Sequence, residues 1–444
     1  QMNLTSISGY DSGRYGQTPN TDCDGTPARA CSIGYSSKFK AFNQDLRFDV
    51  SADRFKLILG AYYGWDKIHS ENRPDFYNFL SDIRIAAGLP DTYFNPGGAF
   101  NGTLLPIDAL PTGIRGTQAF TQTRKSYALY GEGSYELTDT LKFTAGLRYT
   151  WDKFAYTDAL SIFYDDSGAP RLVTVSGYAP GGVEQPYIIG VSPGSYTPLE
   201  RRASSNKLTG RAIIDWKPVD DVMLYASFSR GYRGGTFNGL SYQAAQQVYF
   251  VKPESVDAYE VGFKTRFLDN RLQLNAAFFY YDYKGQQGQL VDQSATANLI
   301  SLDGSLKGLE AELEFAATNR LRLNAGIGVL DSKYKHGACP AGALTGFLPQ
   351  QGNCLRSSAG NVDVGGNPFP YAAKFSATMG FDWDAMDVGE GKITLHGDAS
   401  YTGRFYYDSF GAYDYVSPAG TVNSRPPARR TSPSKAAGSR SQRP

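Results

Sequence analysis

Apolar and polar side chains alternate with a period of two along most of this chain. That pattern marks a strand whose two faces meet different surroundings. From Leu141 to Trp151 every odd position is apolar or aromatic, while the even ones are Lys142, Thr144, Gly146, Arg148 and Thr150. Phe42, Leu46, Phe48 and Val50 oppose Asn43, Asp45, Arg47 and Asp49 in the same way. Leu309, Ala311, Leu313 and Phe315 oppose Glu310, Glu312 and Glu314, and Leu321 to Val329 sets five apolar residues against Arg322, Asn324, Gly326 and Gly328. Further strands are predicted at about 2–13, 55–66, 124–137, 204–216, 222–230, 255–267, 272–284, 370–384 and 392–404. Of these thirteen, most reach the roughly 9–11 residues that a tilted strand needs to cross a bilayer.

Short and long connections alternate strictly. The short ones are at 51–54, 138–140, 268–271 and 318–320, with slightly longer turns at 217–221 and 385–391; all are rich in polar or turn-forming residues. The long ones are predicted at about 14–39, 67–123, 158–203, 231–254, 285–304 and 335–369. Successive antiparallel strands reverse direction, so all short turns fall at one end and all long loops at the other. Transmembrane β-barrels have this asymmetry, with short periplasmic turns and long extracellular loops. A soluble β-sandwich also alternates, but six long connections without structure of their own are uncommon in a compact domain. Tryptophan placement favours the barrel too. Trp65 and Trp151 close predicted strands before long loops, and Trp216 and Trp383 close strands before short turns. Amphipathic rings at both rims suit a membrane interface.

Composition changes this picture little. The 444 residues carry a net charge of +1, without the basic surplus of a nucleic-acid binder. No apolar run approaches the roughly 18 residues of a membrane-spanning helix. A mean hydropathy of -0.38 is what a barrel shows when half of each strand faces water, and aromatic residues make up 14%. The chain opens at Gln1 with no charged-then-apolar leader, as expected where a secretion signal is absent or already removed.

The run Leu224-Tyr225-Ala226-Ser227-Phe228-Ser229-Arg230-Gly231-Tyr232-Arg233-Gly234-Gly235 adds a family resemblance. With Val251 to Lys264 and Asn270 to Tyr280, it closely resembles the barrel of TonB-dependent outer-membrane receptors. The likeness reaches back to Leu4–Tyr10 and forward to about Tyr407. It implies a bacterial outer-membrane location and uptake of a ferric siderophore or similar large nutrient, with energy supplied through the TonB complex. It also implies outer-membrane lipid as a partner, no enzymatic activity and no cofactor. Receptors of this family carry a plug domain ahead of the barrel, which is not expected in this chain, so TonB contact is expected only through a plug that it lacks. The family barrel has about 22 strands. A partial barrel over 1–418 is therefore expected, with a basic Pro/Ser/Arg-rich, disordered tail at 419–444. A reading-frame shift after about Pro418 would explain that tail and the missing last strands; sequencing the neighbouring frame tests this. The alternative functions are a passive porin-like channel and a soluble carbohydrate-binding β protein.

Candidate residues follow from this geometry. The lumen-lining set is Glu132, Glu136, Lys142, Arg148, Arg211, Glu260, Lys264, Arg266, Glu310, Glu312, Glu314 and Arg322. Any water-filled barrel wall needs polar side chains there, so contact with a plug or passing ligand is the narrower reading. Tyr232, Arg233, Phe237 and Tyr242, with Phe76, Tyr77 and Phe79, offer stacking and charge for a ligand in the outer loops. Cys23 and Cys31 share one long loop, and Cys339 and Cys354 share another. In a protein exported through an oxidising compartment, in-loop pairs read as disulfides. No loop joins these cysteines to suitably spaced histidines, and His69, His336 and His396 are scattered, so neither a metal site nor a catalytic constellation is predicted.

Overall fold

The computed structural model describes residues 1–17, 31–77, 113–164, 170–171, 191–192, 195–196, 198–239, 247–291, 297–337, 350–357, 360–410, 414–416 and 422–424. Thirteen strands follow one another in a single antiparallel sheet, and a two-residue strand, Pro170–Arg171, pairs onto the fifth off that path. In chain order they are β1 (Met2–Gln17), β2 (Cys31–Ser51), β3 (Phe55–Tyr77) and β4 (Gly113–Glu136). Next come β5 (Leu141–Tyr164), β6 (Leu199–Val219), β7 (Val222–Arg233), β8 (Glu254–Phe267) and β9 (Leu272–Val291). The last are β10 (Ala297–Ala316), β11 (Leu321–Tyr334), β12 (Phe375–Val388) and β13 (Gly391–Thr402). The fold is the all-β antiparallel barrel wall that the alternation implies, with every strand paired to its sequence neighbours. Among the described residues, β1 and β13 are each paired on one side only.

Register decides the faces, because residues directly opposite share a side. One face carries Leu46, Phe48, Leu59, Leu129, Phe143, Leu147, Val261, Phe278, Ile327 and Phe381, all well exposed to solvent. Ring contacts on this face run along one strand, as in Tyr149–Trp151, or between neighbouring strands, as in Phe42–Tyr63–Tyr127 and Phe228–Tyr259–Tyr280. On the polar face side chains two strands apart meet. Arg211 of β6 reaches Glu132 of β4, and Tyr130 of β4 reaches Asp45 of β2. Such reach needs a concave surface, so the polar face is the lumen and the apolar face looks outward.

The strands run much further than the alternation shows. β3 and β5 continue twelve or more residues past Trp65 and Trp151, ending at Tyr77 and Tyr164. Those tryptophans therefore sit within strands and not at their ends, although both lie on the apolar face opposite Phe42 and Tyr127. Each stands ten residues above its short-turn end, at Phe55 or Leu141. At about 3.3 Å per residue and a tilt of about 40°, that rise is about 25 Å, the height of a barrel's apolar band. Above it the outward face leaves the lipid and need not stay apolar, so the period of two vanishes while the backbone ladder persists. Trp216 and Trp383 lie near the short-turn ends of β6 and β12, again on the apolar face beside Leu224 and Leu395.

Two smaller differences have local causes. The expected strand at 370–384 begins only at Phe375, because Pro368 and Pro370 donate no hydrogen bond and Tyr371 takes a φ of 60°. The turns after β6 and β12 are tighter than expected, since register shifts at Val222/Leu224 and Asp384/Met386 let the strands run on to Val219 and Val388. Past β13, Asp414–Val416 pairs with Val422–Ser424 across the expected boundary at 418.

Leu147 lies mid-band, 64% exposed on the outward face. Leu147→Lys is expected to destabilise the folded barrel in lipid vesicles by about 2–4 kcal/mol in urea titrations. Glu314→Gln, on the lumen side, should stay within about 0.5 kcal/mol.

Candidate functional site: the lumen wall and its mouth

The concave face of β2 to β7 is a connected polar wall. Lys142 lies 3.4 Å from Asp215 near the short-turn end. Above them Arg211 donates from Nε and Nη2 to the two oxygens of Glu132, at 2.6 and 2.7 Å. The pair spans β5 because Gly146 stands between them in register; a Cβ there would sit 2.9 Å from Glu132 Oε2. Gly60 does the same for Tyr130, whose ring covers it and whose hydroxyl donates to Asp45 Oδ1 at 2.7 Å. The Arg148 guanidinium lies over the Tyr62 and Tyr130 rings at 5.1 and 5.6 Å. Cation–π contact thus holds it in place without neutralising it.

The wall of β8 to β11 differs. Tyr225 donates to Glu260 at 2.6 Å, but Glu310, Glu312 and Glu314 face Ala277, Asn275 and Gln273 on one side and Gly328, Gly326 and Asn324 on the other. Lys264, Arg266 and Arg322 lie on the same face, and among the described residues none of these six charged side chains is ion-paired. Glu136 likewise stands unpaired at the short-turn end of β4.

At the mouth, the connection after β7 folds inward and is pinned to the wall. Phe237 is buried with Phe120, Phe154, Tyr156, Ala159 and Val248, and Phe250 packs beside them. Gln122 Nε2 donates to the Phe237 carbonyl at 3.3 Å, and Gln118 Nε2 to that of Gly239 at 3.0 Å. Phe237 therefore anchors the loop. Tyr232 Oη donates to Asp152 at 2.7 Å and lies 2.8 Å from Ser205 Oγ. Burial, partly offset by Ser205 and reinforced by Asp152, pushes its phenol up to about 12. Arg233 stays two-thirds exposed, 3.8 Å from Glu254. The backbone of Phe76 and Tyr77 closes β3 opposite Ile114 and Gly113. Tyr242, Phe79, Cys23 and Cys339 lie outside the described residues. Gln118, Phe120 and Gln122 fall in the connection expected at 67–123, and nothing in the sequence marks their partner, a loop more than a hundred residues away.

A second cap covers β9 to β11. Ile300, Leu302, Tyr334, Leu355, Val364 and Phe369 form its core, and Cys354 beside them is buried and disulfide-bonded. Asn353 Nδ2 ties the cap to the strands through the Asp303 and Lys335 carbonyls, at 2.7 and 2.6 Å. Asp363 accepts from the Gly337 and Gly365 amides at 3.0 and 2.8 Å and lies 2.9 Å from His336 Nδ1. Burial alone would raise its carboxyl, but these bonds outweigh it and the net shift is downward.

A carboxylate with a lowered folded-state pKa stabilises above its unfolded value, and that contribution is lost as pH falls through the folded one. At pH 7 Asp363→Asn should lower the unfolding midpoint. The gap from the parent should close as pH falls below about 4. An unchanged gap at acid pH would remove Asp363 as the cause.

Comparison with known proteins agrees with this geometry. Residues 3–428 match the family described as TonB dependent receptor-like, beta-barrel. A probable TonB-dependent siderophore receptor of Acinetobacter baumannii, PiuA, is 26% identical over 388 residues, covering 85% of this chain and 43% of that protein. Among solved structures, the ferric yersiniabactin uptake receptor FyuA of Yersinia pestis superposes with a TM-score of 0.61 at 14% identity, over 92% of this chain and 49% of that one. The crystal structure of PiuA gives 0.55 at 19% identity, over 92% and 53%. The chain thus spans about half the length of these relatives. It belongs to the TonB-dependent receptors, a family of outer-membrane β-barrel receptors and transporters.

Proposed function

We propose that this chain is the barrel portion, over about 1–418, of a receptor that takes up a ferric siderophore or similar large nutrient across the outer membrane. The observation that carries this reading is the lumen wall. It is polar and charged from the short-turn end to the mouth, with a loop folded inward above it. The similarity to a siderophore receptor supports the ligand class. The lumen-facing charges line the path, and no residue acts as a catalyst. Tyr232 and Arg233 contact the ligand at the mouth, Tyr232 through its ring because its hydroxyl is engaged by Asp152. Energy reaches the barrel through a plug and the TonB complex, and the open edges of β1 and β13 receive further strands in the complete receptor.

The test is uptake of iron-55 from a panel of catecholate, phenolate, hydroxamate and citrate complexes by iron-starved cells. Disrupting the coding region should abolish uptake of at least one complex, and a protonophore should have the same effect. Tyr232→Ala with Arg233→Ala should cut that uptake about tenfold or more. Unchanged uptake on disruption would sink the transport reading, and unchanged uptake in the double variant would remove only these two residues.

Cys339 and Cys354 form the bond that closes the second cap, and Cys23 and Cys31 form its counterpart. Intact-mass and peptide analysis without reduction should recover both cross-linked pairs, with no thiol open to alkylation. A chain removed intact by either alkylating probe would refute the pairing.

A further inference from the structure

On the outward face, each of β2, β3, β4 and β5 carries a lysine at the first outward position above its last aromatic ring. Lys40 follows Phe42, Lys67 follows Trp65, Lys125 follows Tyr127 and Lys153 follows Trp151. The register sets them against one another: Lys40 lies directly opposite Lys67, and Lys125 directly opposite Lys153. Arg14 opposes Lys38 one step further out. Like charges directly across a ladder repel and destabilise it. All four lysines are exposed, and among the described residues none has an ion-pair partner.

The same ring of positions on β7 to β11 is built differently. Above Phe228, Tyr259, Tyr280, Leu309 and Val329 stand Arg230, Asp257, Asp282, Lys307 and Asp331. Arg230 pairs with Asp257 at 2.5 Å, Lys335 with Asp282 at 2.5 Å and Lys307 with Asp331 at 3.9 Å. One arc of the rim is therefore neutralised internally, while the other holds four uncompensated positive charges. Both lie where the apolar band ends on the long-loop side, at the height of the outer-leaflet headgroups.

We propose that Lys40, Lys67, Lys125 and Lys153 form a docking surface for a phosphorylated lipid of the outer leaflet, with one phosphate between each opposed pair. Strands about 4.8 Å apart place the four lysines over about 14 Å, so the ligand is a headgroup bearing two separated phosphates. The apolar face below them accepts its acyl chains, which distinguishes a lipid from a free anion. The lysine stems reach up from the band while the ammonium groups stay in the headgroup layer.

The experiment titrates the full chain, in a zwitterionic detergent, with bis-phosphorylated lipid A, its monophosphoryl form and inorganic phosphate. Bound lipid is read by native mass spectrometry, and folding by heat-modifiable migration. The bis-phosphorylated lipid should bind best, and Lys→Gln at all four positions should weaken it about tenfold or more. Lys→Arg at the same positions should keep it, as should R230Q with K307Q on the opposite arc. Unweakened binding in the four-Gln variant, equal loss on the opposite arc, or a folded Arg variant no better than the Gln one would overturn the proposal. So would inorganic phosphate competing at the concentration that the lipid requires.

Discussion

Hydrocarbon offers no partner to a backbone amide or carbonyl, and each such group left unpaired in it costs several kcal/mol. That constraint decides the shape of this molecule. It makes the ladder continuous from β1 to β13 through every membrane-crossing segment, and confines irregular backbone to the ends. It also makes the two outermost edges the weakest feature of the sheet. A wall in lipid is stable only when both edges are engaged, and the chain covers about half the length of its relatives.

Once the ladder is fixed, the two faces divide the remaining work. Outward residues are chosen by lipid, so they are apolar and individually replaceable by others of like character. Inward residues are chosen by one another. Glu132 and Arg211 are two strands apart and meet only because Gly146 leaves room between them. The paired wall of β2 to β7 and the unpaired carboxylates of β10 sit in one lumen, which gives the passage a fixed side and a charged, accessible side. At the mouth, buried rings and glutamines hold a long connection against the wall. A loop that only surface charges held would not keep a set position.

The outward rim shows the same logic at the boundary between lipid and water. Rings end the band on β2 to β5 and β7 to β9, and the next outward residue must suit the headgroup layer. On one arc the protein supplies both signs of charge. On the other it supplies lysines alone, and the membrane is left to provide the anion.

Much of this was legible along the chain. Alternation located all thirteen strands and their faces, because a strand between lipid and water must change character at every residue. Strict alternation of short and long connections oriented the barrel, although Trp65 and Trp151 stand within their strands and not at the ends. The strand ends were not legible, since above the band the outward face is no longer held apolar by lipid and the pattern that betrays a strand disappears. Nor was the site. Phe237 reads as an exposed aromatic in a Gly-rich loop, yet it is buried against Phe120 and Tyr156, a contact that exists only after β4 and β5 curve round to meet that loop. The pairing of Lys40 with Lys67 likewise depends on register, and register is set by where each turn falls. Local side-chain character comes from the sequence; which distant charges become neighbours comes only from the register and curvature of the wall.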